Sequence, residues 1–401
     1  MNSFKTDVLI CGGGISGLIM AKSLVNLGVN VICIEKNNVQ KTSKIKSDLR
    51  STALLYPTVD FFEKIGIWNN LKDYAQPLNS LVICNLNQKT ETIDGSCEFF
   101  AEDLDLSTLG YNLPNKIILS ELHKIMKSEK RFKYLSGDNV EHITPRTFDI
   151  VTKTKKKIQI NSKLLIAADG RNSKIRELLK IKEIKYDYNQ RALVFNVQHK
   201  FNHKSKSYEI YKSEGPCTLV PLKTKILNGY FSSVVLIVDN SKNYEEIFND
   251  KEKLSDFLTK RTGDLLGVCK VQTPLNYFPI ISQASNSLIS ERTILLAETA
   301  HVLPPIGAQG LNTSIYDIKN LFSLIEKKVI ANEEIGDYNF LKDYEKSRKK
   351  QIASRMISIH LLNKLSISDK NIISNIRKFG LNFLDSNIVS KKTAMKFGMF
   401  Q

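Results

Sequence analysis

A chain of 401 residues has room for two or three domains with their own cores, and its apolar (42%) and charged (25%) fractions exclude a disordered chain. The formal net charge is +17 at pH 7, carried by 47 lysines against 11 arginines that are scattered among Asn and Ile; nucleic-acid sites favour the planar arginine fork, so the charge reads as a solvated surface, or as attraction to an anionic membrane or acidic partner, and not as a nucleic-acid site. Six cysteines lie far apart with no CxxC pair, which argues against a disulfide framework and for a reducing compartment, with Cys11 and Cys33 read as buried free thiols.

In chain order, Asp7–Cys11 is a short apolar run of the kind that forms a buried parallel strand. Gly12-Gly13-Gly14-Ile15-Ser16-Gly17 follows, then an amphipathic helix (Leu18, Ala21, Leu24, Val25, Leu27) closed by Gly28, then a second strand over Val29–Ile34 ending at Glu35. This is a complete βαβ unit. Asp48–Ile67 reads as a loop entering a helix, and Leu81–Leu86 and Lys89–Ile93 as strands. The spacing predicts a helix over Asn115–Lys127, and short strands at Phe132–Leu135, Val140–Ile143, Phe148–Val151 and Lys157–Ile160. Leu164–Ala168 is a further buried strand. Between about 185 and 280 β alternation dominates (Ala192–Val197, Tyr208–Tyr211, Thr218–Pro221, Ser232–Val238), with one helix near Glu252–Thr262. A buried strand over Thr293–Ala297, a Pro/Gly-rich loop and a helix over Leu311–Ile325 come next, and from about 336 the apolar spacing is helical. No secretory leader precedes the first strand and no apolar run nears the ~20 residues of a membrane span; the expectation is a cytoplasmic protein, at most peripheral to the inner membrane.

Three segments carry chemistry. In the first glycine cluster Gly12 permits a tight turn, Gly14 lets backbone approach a pyrophosphate, and Gly17 lets helix and strand pack closely. Glu35, 23 residues on from Gly12, is placed for ribose hydroxyls. Strand, helix, second strand and acid in this order define a dinucleotide site, without choosing between a flavin and a nicotinamide. The second segment, Ala168-Asp169-Gly170-Arg171-Asn172-Ser173, delivers an Asp-Gly turn into a helix; an Asp helix cap explains it equally well. In the third, Leu295–Asn312, the carboxylate of Glu298 ends a buried strand, Pro304-Pro305 fixes a loop, and Gly307-Ala308-Gln309-Gly310 opens a helix. Such a turn aims N–H groups and the positive helix end at an edge that becomes negative on reduction. His301 reads as a brace for the Pro-Pro loop rather than a catalytic base, and the other five histidines show no metal spacing.

Together, from residue 4 to about 325, these segments resemble the single-component aromatic hydroxylases that use FAD, and within them the ubiquinone-biosynthesis branch. Asp48-Leu49-Arg50-Ser51-Thr52-Ala53-Leu54 is similar to that branch's DxRxxAL segment, and Gly110–Asn115 with Leu119 and Leu122 to its GYxxxN…L…L segment. The resemblance implies an α/β fold: a Rossmann-like FAD-binding domain (1–72, 98–184, 281–335), an inserted β-sheet substrate domain (73–97, 185–280) and a C-terminal helical region (336–401). It assigns Gly12, Gly14, Ser16, Gly17 and Glu35 to the ADP half of FAD, with Lys36 also a cofactor contact, Val140 beside the adenine and Arg50 on the ribityl-phosphate side. Asp169 would serve FAD and a passing nicotinamide, and Glu298 ribityl or ribose hydroxyls. Gly307 to Asn312, including Gln309, Gly310 and Leu311, would line the isoalloxazine, with Pro304 and Pro305 as walls. Where the family has Gly-Asp this chain has Ala297-Glu298, which keeps the carboxylate and moves the strand end.

The implied activity is hydroxylation of a hydrophobic, polyprenylated phenol through a flavin C4a-hydroperoxide, with NAD(P)H or another donor and dioxygen as co-substrates. The far wall of the substrate pocket would be the inserted sheet. An FAD oxidoreductase without oxygen insertion, of prenyl-reductase type, and a non-catalytic subunit of a quinone-synthesis complex are the competing classes; the single Trp68 speaks against the halogenases' WxWxIP motif. At the C-terminus the stripe Ile372, Ile373, Ile376, Phe379, Phe383, beside Lys370, Arg377 and Lys378, is expected to pack on the protein's own core, the alternative being contact with a membrane.

Overall fold

The computed structural model describes residues 2–38, 48–87, 90–212, 215–223, 229–366 and 371–399. Its first strand, β1 (Ser3–Cys11), feeds α1 (Ile15–Asn26) and returns as β2 (Val31–Glu35), parallel to β1. Val8, Leu9 and Ile10 have no exposed surface, as expected of a strand covered on both faces. Gly28, at φ +78°, donates its N–H to Val25 O and ends α1. Two glycines are required by contact: a Cβ on Gly17 would lie 1.9 Å from Gly12 O, and one on Gly12 2.1 Å from Ala168 O.

Around this unit the first sheet runs in the order Ile289–Ser290, Thr293–Leu295, Gln159–Ala167, β1, β2, Phe132–Ser136. The five strands from Thr293–Leu295 to Phe132–Ser136 are all parallel. Gln159–Ala167 is one continuous strand where the sequence suggests two, because Ser162, the polar residue that interrupts the apolar pattern, is buried in its middle. The strand expected to reach Ala297 stops at Leu295, and Ala297–Thr299 forms a 3₁₀ turn.

The second sheet has nine strands and collects Ser80–Leu86, Ile93–Phe100, the strands between 183 and 285, and His301–Val302. It is the inserted sheet, with the helix Lys251–Arg261 on one face and an additional short helix at Glu245–Phe248. Alternation along Glu183–His199 assigns its two faces. Leu193, Phe195 and Val197 pack with Leu254 and Leu258 of that helix, whereas Ala192 and Val194 face the other way. The expected domain boundaries at 97/98, 184/185 and 280/281 each fall inside a strand of this sheet. The strand expected over Lys89–Ile93 begins outside the described residues, and the observed one starts at Ile93 and continues to Phe100.

Asp48–Ile67 is corrected in part. Ser51–Leu55 is a strand, paired with Gly110–Pro114 in a separate three-stranded sheet, before the helix Tyr56–Lys64. Its hydrogen-bonding partner lies almost sixty residues away, so local pattern carries no trace of it.

After α2 (Gln309–Ile330) the chain forms α3 (Tyr338–Ser366), α4 (Asn371–Ser386) and α5 (Ile388–Met399). Leu381 and Leu384 of α4 and Met395 and Met399 of α5 pack with Cys97 and Phe99 of the edge strand Ile93–Phe100. The apolar stripe points the other way: Ile376, Phe379 and Phe383 are 58%, 70% and 58% exposed. The packing expectation for these three is overturned, because α4 is apolar on two faces and the sheet edge takes only one; Lys370 lies outside the described residues, as do the side chains of Ile372 and Ile373. No helix among the described residues is long and apolar enough to cross a membrane.

All six cysteines are buried free thiols. Gly17→Ala forces the helix off the glycine turn and is expected to cost about 1–3 kcal/mol, read as a lowered urea-denaturation midpoint; an unchanged midpoint contradicts the contact argument.

Candidate active site

The carboxyl ends of the parallel strands, the N-termini of α1 and α2, and one face of the second sheet enclose a cavity of about 630 Å³. Sites in open α/β sheets form at this end of the strands, and the volume is that of a small-molecule site. Of the residues singled out from sequence, Gly14, Ser16, Arg50, Glu298, Pro304, Pro305, Gly307, Gln309, Gly310 and Leu311 line it together. Gly12, Gly17, Glu35, Lys36, Val140, Asp169 and Asn312 stand outside its walls.

Several of these outlying residues have assigned partners. Glu35 closes the glycine turn: its Oε2 accepts the Gly13 N–H at 2.8 Å and its Oε1 the Asn37 N–H at 2.9 Å. Lys36 is exposed beside it, and Val140 is buried in the core of the first sheet. Asp169 serves as the helix cap that its sequence also allowed. Its carboxylate accepts Ser173 Oγ at 2.6 Å and the N–H groups of Lys174 and Ile175 at 2.8 and 3.2 Å, while Gly170 and Arg171 reach the cavity. Arg50 is held by Asp48 through Nε and Nη2, both at 2.9 Å, and its guanidinium lies 5.1 Å from the Phe278 ring centroid on the second sheet. The Asp48 hydrogen bonds keep that guanidinium above its ordinary pKa despite burial.

The loop from Ala297 to α2 is fixed at both ends. Asn312 has no exposed surface; its Nδ2 donates to Ala53 O and Ala308 O, and its Oδ1 accepts Leu55 N–H and Thr58 Oγ1. It clamps the start of α2 to the strand Ser51–Leu55 rather than facing the cavity. His301 is a brace: Nε2 donates to Asp317 Oδ2 at 2.7 Å, and Asp317 also receives Arg348 Nε at 2.8 Å and the Ala297 N–H at 3.1 Å. Ala297 itself is in the left-handed region at φ +58°, where the family's glycine costs nothing. Glu298 pairs with Arg171 across the cavity mouth, at 3.2 and 3.3 Å. Sequence reasoning gave no role to Arg171, Asp317 or Arg348, and only their folded positions identify them.

The residues present suit a flavin dinucleotide. A Cβ added to Gly14 or Gly310 meets nothing within 4 Å, so backbone stands open to the cavity at the start of both helices. The cap residues there, Gly14 and Ala308, carry no side-chain acceptor, which leaves the first N–H groups and the positive helix ends for phosphate and for the electron-rich edge of a flavin. Gln309 is buried on the wall with its Oε1 unpartnered.

The glycine turn, the two helix ends and the inserted sheet define a flavoprotein of the two-sheet, aromatic-hydroxylase type. The chain belongs to the FAD binding domain family, which matches residues 5–358. It is 24% identical over 400 residues to the ubiquinone hydroxylase UbiL of Rhodospirillum rubrum, covering 98% of this chain and 89% of that one. It is 22% identical over 408 residues to the 3-demethoxyubiquinol 3-hydroxylase of Escherichia coli, both chains covered in full. Its fold is similar to that of p-nitrophenol 4-monooxygenase PnpA from Pseudomonas putida, with a TM-score of 0.81, 16% identity and full coverage of both chains.

Relief of the left-handed strain at Ala297 outweighs the entropy that glycine loses on folding, so Ala297→Gly is expected to stabilise the chain by about 0.5–1 kcal/mol, and Ala297→Val to destabilise it. Urea titration of the three proteins checks the order, and a lowered midpoint for the glycine variant refutes it.

Proposed function

We propose that this protein is an FAD-dependent monooxygenase that hydroxylates the aromatic ring of a polyprenylated phenol in ubiquinone biosynthesis. The observation that carries the reading is the make-up of the cavity. One wall is helix ends and the Pro304–Leu311 loop; the other is apolar sheet residues, among them Ala192, Val194, Val220, Val235 and Ile280. The named activities of the relatives from R. rubrum and E. coli support the same substrate class.

When bound, FAD takes electrons from NAD(P)H or another donor and passes one atom of dioxygen to an activated ring, the other leaving as water. The chain's own residues would position and shield. Gly14 and Ser16 would hold the pyrophosphate at the α1 N-terminus, with Glu35 behind the turn and Arg50 on the phosphate side. Gly310 and Leu311 would present N–H groups to the flavin's pyrimidine edge, with Pro304 and Pro305 walling the space before it. The apolar sheet face would exclude water and hold the phenol ring against that wall, so that no strongly basic side chain is required. Asp169 would act through the Ser173 turn and not by direct contact.

A long prenyl tail keeps its phenol at a lipid surface, and α4 offers a matching face. Ile376, Phe379 and Phe383 lie at i, i+3 and i+7 on one exposed side, next to Lys378, on a chain of net charge +17. This supports peripheral contact with an anionic bilayer.

Turnover under oxygen-18 gas with a prenylated phenol is expected to place one labelled atom on the ring, read by mass spectrometry; reduction of the substrate without label makes the protein a flavin reductase instead. In vesicle flotation, wild type is expected to float with vesicles containing anionic lipid, and Phe379→Ser/Phe383→Ser to stay behind at least several-fold more. Equal flotation of the two removes α4 as the contact.

A further inference from the structure

Three consecutive carbonyls at the end of α5 are received by side chains of other helices. Arg355 of α3, 7% exposed, donates through Nη1 to Phe397 O at 3.0 Å, with its guanidinium 5.2 Å from the Phe397 ring centroid. Gln309 Nε2 donates to Gly398 O at 3.1 Å, and Tyr316 Oη to Met399 O at 2.9 Å. Carbonyls in the last turn of a helix have no partner within it and carry its negative end. Three donors, one of them a cation, therefore dock the end of α5 onto α2 and α3. Gln309 and Tyr316 stand seven residues apart, on one face of α2.

Gln309 also belongs to the cavity wall, where it is buried. The second proton of its Nε2 goes to Gly307 O at 2.9 Å. Only the nitrogen of a carboxamide donates, so two carbonyls on that nitrogen fix the orientation of the group. Oε1 is left without a partner among the described residues, and a buried unpaired acceptor is costly; the two bonds from Nε2 offset that cost. What they hold is Gly307, which with Ala308 takes the left-handed path at φ +62° and +57°. An alanine does not keep that conformation unaided, so contacts from outside the loop have to over-determine it.

We propose that Gln309 is a positioning residue that joins the cavity loop to α5: through Nε2 it ties Gly307 to Gly398, and the docked end of α5 sets where the loop holds the flavin. This rests on the reading of Pro304–Leu311 as the flavin wall. Tyr316 and Arg355, which do not line the cavity, then act on the flavin through α5. If Gln309 acted on the flavin by touch alone, neither would affect it.

The test uses the full chain with FAD. It compares Gln309→Met, which keeps the side-chain length and removes both donated bonds, with Tyr316→Phe and Arg355→Met, which release Met399 O and Phe397 O. Readouts are FAD affinity by fluorescence quenching, the visible band shape of the bound flavin, and the rate of tryptic cleavage after the exposed Lys396 of α5, which reports undocking. Gln309→Met is expected to weaken FAD about fivefold, the effect of one lost neutral hydrogen bond, to shift the band shape and to speed cleavage. Tyr316→Phe and Arg355→Met are expected to speed cleavage, to weaken FAD by about twofold and to shift the band shape in the same direction. Faster cleavage in either of these two with wild-type affinity and spectrum overturns the proposal, because the flavin is then indifferent to α5. Cleavage at the wild-type rate in all three variants also overturns it, since the bonds then do not hold the helix. Should Arg355→Met not fold, Tyr316→Phe carries the same comparison. A wild-type chain that binds no FAD defeats the flavin-wall reading, and the proposal with it.

Discussion

The loop that runs from Ala297 to α2 along the cavity depends on one buried anion. Asp317 has no exposed surface, and burial alone would raise its pKa; the charges of His301 and Arg348 oppose that and hold it below its ordinary value. Taking a carboxylate out of water costs several kcal/mol even after relaxation, so its partners are obligatory. They also come from different parts of the chain. The Ala297 amide belongs to the turn after the first sheet, His301 to the strand that begins the Pro-Pro loop, Asp317 to α2, and Arg348 to α3. One charge therefore fixes where the loop leaves the first sheet and where the helix behind it lies. A depressed folded pKa means that this contribution is present above the ordinary carboxyl range and is lost as pH falls through the lowered value.

That anchoring explains how the loop keeps a costly backbone. Ala297, Gly307 and Ala308 are all left-handed, and two of them are alanines. Local sequence does not favour such a path; tertiary contacts over-determine it. Asp317 takes the Ala297 amide, and Asn312 takes the Ala308 carbonyl. The departure from the family's Gly-Asp at 297–298 is thus absorbed by a contact twenty residues further along the chain.

Much of this was legible in the sequence because the informative features are local. The βαβ unit announces itself through Val8–Ile10, the spaced glycines and Glu35, and each of these acts within thirty residues. The alternation in 185–280 likewise marks strands that do form the second sheet. What was not legible depends on distant partners. Ser51–Leu55 reads as loop because its ladder is with Gly110–Pro114. Asp169 and Asn312 sit in motifs that suggest ligand contact, yet their side-chain atoms are consumed by Ser173 and Lys174 and by Ala53, Leu55 and Thr58. A motif fixes where a residue stands, while the direction of its side chain is decided by whatever else needs that polar group.

The C-terminal helices show the same limit from the apolar side. Periodicity says that α4 has an apolar face and is silent on what covers it. In the fold, Leu381 and Leu384 cover Cys97 and Phe99 on the edge strand of the second sheet, which protects an edge that would otherwise offer free backbone groups. That task is complete without Ile376, Phe379 and Phe383. Packing therefore accounts for the inner face and leaves the outer one unexplained, and three large apolar side chains kept in water on one helix face are costly unless something else covers them. Arg377 of the same helix lies over the Tyr211 ring and bonds Asn85, so the element that carries the exposed face is also tied by polar contacts to the second sheet.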